Sequence, residues 1–200
     1  MLVGTGDSDT KSSPDWVQPQ SGKGVSGVLP QPLLKTMIKL DGLLKEIDEG
    51  WAVGGDAGEI VQGVNVTADH LEILTTKKGC SEIDAVLEPY RMLAPKETEK
   101  TLDKASIVEG NPLPVCVKSE YAEYSVEQVR VEVYGDMRIK VGERDWSDPL
   151  QFTPTTVNLV GRLLPLVPLE LVDRVYRYLG DNWSDRVRKI SEAVKKKRGV

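Results

Sequence analysis

Two hundred residues, 40% hydrophobic and 28% charged, match a soluble globular chain with room for one domain plus extensions, or two small domains. A net charge of −5 and a pI near 5.1 argue against bulk nucleic-acid binding and leave only local basic patches. Cys80 and Cys116 form no ligand pair, which argues against a structural zinc, and no apolar run approaches the ~20 residues of a membrane span. The start, MLVGTGDSDTKSS, lacks the basic n-region and long apolar core of a secretory signal, so a reducing, cytoplasmic setting is expected.

Residues 1–30 are rich in Gly, Ser, Pro and Gln and hold few large apolar side chains. Such a segment offsets little of its ordering entropy, so it reads as a flexible tail or as an extension with no role. From Pro32 the apolar residues Leu33, Leu34, Met37, Ile38, Leu44 and Ile47 recur at helical spacing, predicting a helix to about Glu49 with Gly50 as its stop. WAVGG predicts a short buried strand, DAGEIVQG a short helix, and LEIL a second strand. TTKKGCSEIDAVLEPY predicts a loop leading into a helix capped by Ser81. KASIVE and LPVCVKSEY carry β-branched alternation. VRVEVYGDMRIKVG reads as a hairpin turning near Gly135-Asp136, with Val129, Val131 and Val133 on one face and Arg130, Glu132 and Tyr134 on the other. After a Pro/Thr loop, PLELVDRVYRYLG predicts a helix from Pro168 to Gly180, and SDRVRKISEAVKKKR a last helix capped by Ser184. This order of elements gives an α/β (α+β) domain over residues 31–200, a mixed sheet flanked by helices with a helical C-terminal end from about residue 165.

The stretch TADHLEILTT holds the only histidine of the chain. Side chains alternate along a strand, so His70 and Glu72 share one face while Leu71 and Ile73 point to a core. Asp69 falls on the other face unless the strand begins after it. The glycine pair Gly54-Gly55 ends a strand and opens a helix, where free backbone N–H groups can hold a phosphate. VRVEV places a further acid, Glu132, on a polar face. A glycine-lined helix start, a ligand pair on one strand and a carboxylate on another are the parts needed to hold a divalent metal against a triphosphate.

The run WAVGGDAGEIVQG, then TADHLEIL, then VRVEV resembles the nucleotidyltransferase superfamily, the DNA polymerase beta-like fold, in its small prokaryotic and archaeal form, which includes AbiEii-type toxins. The resemblance covers roughly Leu33–Leu87 and Val129–Val141. It implies that Gly54 and Gly55 hold the phosphates of an NTP. It also implies that His70, Glu72 and Glu132 stand at the three metal-binding acids, with Mg²⁺ or Mn²⁺ as the cation and Glu132 drawing the proton from the attacking hydroxyl. All three positions depart from the family's Asp. Imidazole is a poor ligand for hard Mg²⁺, Glu is one methylene longer than Asp, and Asp56 would repel a triphosphate. Asp69 is an alternative first acid if the strand bulges.

Two functions follow. One is transfer of a nucleoside monophosphate from an NTP to a hydroxyl of RNA, protein or a small molecule. The other is a catalytically decayed domain that binds a nucleotide or a protein partner, as in a toxin–antitoxin pair. The last helix, RVRKISEAVKKKR, holds seven basic residues and one acid, either as a solvated face or as a contact to RNA or an acidic partner.

Overall fold

The computed structural model describes residues 27–102, 105–108, 110–180 and 183–198, so the expected tail lies outside the described residues up to position 26. In chain order the elements are α1 (Gln31–Leu43), β1 (Trp51–Gly54), α2 (Gly55–Val61), β2 (Leu71–Thr75), α3 (Lys77–Leu87), β3 (Arg91–Thr101), β4 (Ser106–Val108), β5 (Asn111–Leu113), β6 (Val115–Val126), β7 (Val129–Val141), β8 (Thr155–Leu159), β9 (Arg162–Leu166), α4 (Leu169–Leu179) and α5 (Ser184–Arg198). Seven strands form one mixed sheet in the order β3-β6-β7-β2-β1-β9-β8, and β4 and β5 form a separate hairpin.

One face of the sheet carries Val53, Leu71, Ile73, Ala122, Tyr124, Val131, Val133 and Leu164. Against it pack Leu33, Met37 and Leu40 of α1 and Ile83 and Leu87 of α3. On the other face α4 covers only part of the surface: Leu171 lies against Ala52 and Leu74, and Leu179 against Val115, Ile139 and Val141. α5 closes a third cluster, with Ile190 and Ala193 against Ile60, Val64 and Val66.

Five features differ from expectation. α1 stops at Leu43, six residues early, because the chain from Leu44 turns to deliver the Asp48 and Glu49 amides to the Glu82 carboxylate, each at 3.0 Å. α3 starts four residues before Ser81: Thr76 caps it, its hydroxyl accepting from the Gly79 amide at 2.9 Å, and Ser81 lies inside the helix, donating to the Lys77 carbonyl. VRVEVYGDMRIKV is a single strand. The turn sits upstream at Glu127 and Gln128, both with positive φ (53° and 64°), as a two-residue primed hairpin turn requires. Gly135-Asp136 instead marks a bulge, with Asp136 at φ 49° beside a register shift between Lys118 and Glu120 on β6. Finally, RMLAPKETEKT forms the long edge strand β3, and the Pro/Thr loop contains the hairpin β8–β9, turned by Val160 and Gly161.

Candidate functional site

Three adjacent strands bring the glycine turn and two acids into one row. β1 pairs antiparallel with β2, setting Gly54 opposite Glu72, and β2 pairs parallel with β7, setting Glu72 opposite Glu132. Residues directly opposite each other share a face, so the row projects from the face that α4 only partly covers. The glycines let the turn lie close. Gly55 opens α2 at φ 55°, and a Cβ there would overlap the Glu72 carboxyl, whose Cδ would lie at 2.5 Å. A Cβ on Gly54 would sit 2.8 Å from Leu74 Cδ1 and 3.2 Å from Val167 Cγ2.

His70 precedes β2 and reaches into this row. Its Nε2 lies 3.4 Å from Glu72 Oε1 and 3.7 Å from Glu132 Oε2, and its Nδ1 lies 2.6 Å from Asp69 Oδ1. The Glu72 carboxylate, helped by Asp69 and the Glu132 charge, holds the imidazolium up to about 9 against the opposing effect of burial. At neutral pH the ring is therefore a cation that donates from both nitrogens.

Glu132 is 8% exposed, and both of its oxygens accept phenol hydrogens. The Tyr134 hydroxyl donates to Oε2 at 2.5 Å and the Tyr121 hydroxyl to Oε1 at 3.1 Å, while Arg130 Nη1 lies 3.5 Å from Oε1. The two rings pack at 5.2 Å between centroids. Burial, and then the Glu132 charge, push both phenols far above the ordinary tyrosine value, so they stay protonated donors. Each carboxylate oxygen keeps a second lone pair for a ligand.

Asp56, next to the glycine pair, faces a cation. Arg186 of α5 binds Asp56 through Nη2 and places Nε 2.7 Å from Glu59 Oε2. Glu59 is 2% exposed, and burial pushes its carboxyl up to about 7 in spite of Arg186. The Arg186 guanidinium lies 5.5 Å from the Tyr176 ring, which stacks on Trp183 at 5.1 Å. One charge of the basic last helix is thus spent on the acids of α2. Arg188 and Lys189 pair within α5, with Asp185 and Glu192.

Two carboxylates side by side are the donor set of a hard divalent cation, which takes carboxylate oxygens and completes its shell with phosphate and water. His70 joins such a shell only after losing its proton. Among the described residues no group of three or more His, Cys, Asp or Glu is already arranged around a common metal position. The structure thus brings Gly54, Gly55, His70, Glu72 and Glu132 together. Sequence reasoning did not identify Tyr121, Arg186 and Glu59 as neighbours of the site. Tyr134 was legible from the alternation with Glu132, whereas Tyr121 depends on the β6–β7 register and Arg186 on a contact 130 residues away.

The chain is similar to the crystal structure of a candidate nucleotidyltransferase from Thermotoga maritima, with a TM-score of 0.62 and 23% identity, over 86% of this chain and 96% of that one. It is also similar, at a TM-score of 0.45 and 9% identity, to ANT(2″)-Ia in complex with adenylyl-2″-tobramycin, over 82% of this chain and 91% of that one. No family model matches the sequence, and no curated protein does. The fold is nucleotidyltransferase-like. No helix among the described residues is long and apolar enough to cross a membrane.

Proposed function

We propose that this protein binds a nucleoside triphosphate along the row Gly54–Glu72–Glu132 and transfers its nucleoside monophosphate to a hydroxyl. The observation that carries the reading is this row on three neighbouring strands of a nucleotidyltransferase-like fold. The β- and γ-phosphates lie against the Gly54-Gly55 backbone, where the absence of a side chain lets the Glu72 carboxyl come close to the turn. Glu72 and Glu132 would hold Mg²⁺ or Mn²⁺, which supplies neutralising charge to the phosphates when bound.

Glu132 is held in place by Tyr121 and Tyr134, and its free lone pairs take the proton of the attacking hydroxyl. Arg186 removes the repulsion that Asp56 would otherwise exert on the triphosphate. Without a bound metal, His70 is the resident cation of the two carboxylates.

A second reading is favoured by the placement of His70 against both carboxylates: the domain binds nucleotide and has lost transfer. Thermal unfolding with ATP, CTP, GTP and UTP, each with Mg²⁺, Mn²⁺ or a chelator, tests the proposal. A ligand at 100 times its Kd adds about 2.7 kcal/mol. A shift that needs the cation and disappears in Glu72→Ala supports transfer, a shift independent of the cation supports the second reading, and no shift with any nucleotide overturns both.

A further inference from the structure

The two edges of the main sheet are built differently. β3 carries Arg91, Lys96, Glu97, Glu99 and Lys100, contains Pro95 and is interrupted by two register shifts. Charge, proline and bulges are the devices that stop an edge strand from accepting another strand. β8 has none of them. From Pro149 to Gly161 no residue is ionisable, and the β8–β9 register runs without a shift. Among the described residues no further strand lies beyond β8.

The turn Val160-Gly161, with φ 52° and 79°, decides which backbone groups of β8 point outward. A two-residue turn of this hand is closed by a hydrogen-bonded pair, Leu159 with Arg162, and such pairs then alternate. Val157 therefore bonds to Leu164, and Thr155 to Leu166. The same alternation leaves the Val167 amide free to donate to the Val53 carbonyl of β1 at 2.9 Å. Thr156 and Asn158 turn their N–H and C=O groups away from β9, and no backbone hydrogen bond reaches them among the described residues. The Asn158 side chain is occupied at the turn, where it accepts from the Gly161 amide at 3.0 Å. Val157 and Leu159 pack against the main core, while Val160 is 73% exposed.

We propose that this edge pairs with the same edge of a second copy, β8 antiparallel to β8, about a two-fold axis at Val157. Thr156 of each copy then faces Asn158 of the other, and each pair exchanges two N–H···O=C bonds. Val157 meets its counterpart, and Leu159 meets Thr155, on the face that carries the core. Such a contact is self-complementary, as a two-fold dimer requires. Charge selects the occupant. A neutral strand laid against itself sets no like charges in register. A charged strand would lose hydration against Val157 and Leu159 and find no opposite charge on β8. Only five residues pair on each side, so the interface is small and the dimer forms at about 1–100 μM. The Gly54–Glu72–Glu132 row starts on β1, two strands inward, so dimerisation stands independently of the nucleotide reading.

Sedimentation velocity of the full chain over that concentration range, with hydrogen exchange of the Thr156 and Asn158 amides, tests this. Thr156→Pro removes an outward donor without touching a β8–β9 bond. Thr156→Lys and Thr156→Glu each set like charges about 8 Å apart across the axis. The expected result is a concentration-dependent dimer in the wild type, with slower exchange at both amides in the dimer. Each variant alone should dimerise at least tenfold more weakly, and mixing the Lys and Glu variants should restore the dimer. Circular dichroism of the variants reports that the fold is intact. A wild type that is monomeric throughout overturns the inference and leaves the edge to residues 1–26 or to a different protein. A dimer that the charge variants do not weaken, or whose two amides exchange as in the monomer, overturns it as well, because the contact then lies elsewhere.

Discussion

Glu72 and Glu132 are register partners on adjacent parallel strands, with His70 Nε2 3.4 Å from the first and 3.7 Å from the second. Two carboxylates that close repel each other, and the surroundings relieve this by a cation on one side and two phenol hydrogens on Glu132. Tyr134→Phe removes the shorter of those hydrogen bonds from a nearly buried acid and should destabilise the fold by about 1–2 kcal/mol in urea unfolding. Tyr121→Phe should lose less, because its hydroxyl sits at 3.1 Å and divides itself between two acids. Equal and negligible effects would mean that the phenols do not hold Glu132.

Glycine at position 55 is required twice, by φ and by the approach of Glu72. Gly55→Ala should lower stability by about 1–3 kcal/mol and abolish the nucleotide-induced shift, because the added methyl displaces the Glu72 carboxyl. Gly50→Ala is the control: nothing lies within 4 Å of a Cβ there, and it should behave as wild type.

His70 gives stability a pH signature. Its pKa is raised from 6.5 to about 9 on folding, so its contribution is complete below 6.5 and declines as pH rises through about 9. A shift of that size corresponds to about 3 kcal/mol as an upper bound. The difference in unfolding free energy between wild type and His70→Asn should therefore be largest near pH 6 and shrink towards pH 10. A difference that is flat or grows over that range would show that the ring is neutral in the folded protein.

Arg186 tethers the C-terminal helices to α2 through Asp56 and the buried Glu59. Arg186→Met leaves the buried Glu59 with only the 3.4 Å contact to the Tyr176 hydroxyl and should cost up to about 3–5 kcal/mol at alkaline pH, where the carboxyl is charged, and less at pH 6, where it protonates. Adding Glu59→Gln should recover most of that loss, since no buried charge then remains. Additive losses in the double variant, measured by urea unfolding, would contradict a paired role.

What the sequence disclosed followed from side-chain periodicity. The two-residue alternation of LEIL and VRVEV sets Glu72 and Glu132 against valine and isoleucine faces, and the glycine pair ends β1 where expected. β3 stayed hidden because RMLAPKETEKT is an exposed edge strand with no apolar face and two register shifts, so its charges read as loop. The β6–β7 turn was misplaced because Glu127-Gln128 adopts positive φ without glycine or asparagine, while Gly135-Asp136 carries the residues of a turn and forms a bulge. Ser81 lost the cap to Thr76 because both types suit a cap and only packing distinguishes them. The row itself depends on strand order, which joins residues 54, 72 and 132 through long-range pairing that no local pattern encodes; the family resemblance supplied it.

In the proposed function Glu72 and Glu132 act with the glycine turn on a metal-bound nucleotide. Calorimetric titration of a non-hydrolysable ATP analogue into the wild type, Glu72→Gln and Glu132→Gln, with Mg²⁺ and with chelator, tests it most directly. Binding should require Mg²⁺ in the wild type and weaken at least tenfold, or about 1.4 kcal/mol, in each variant. Absence of binding to the wild type, or binding indifferent to Mg²⁺ and to both substitutions, would contradict it.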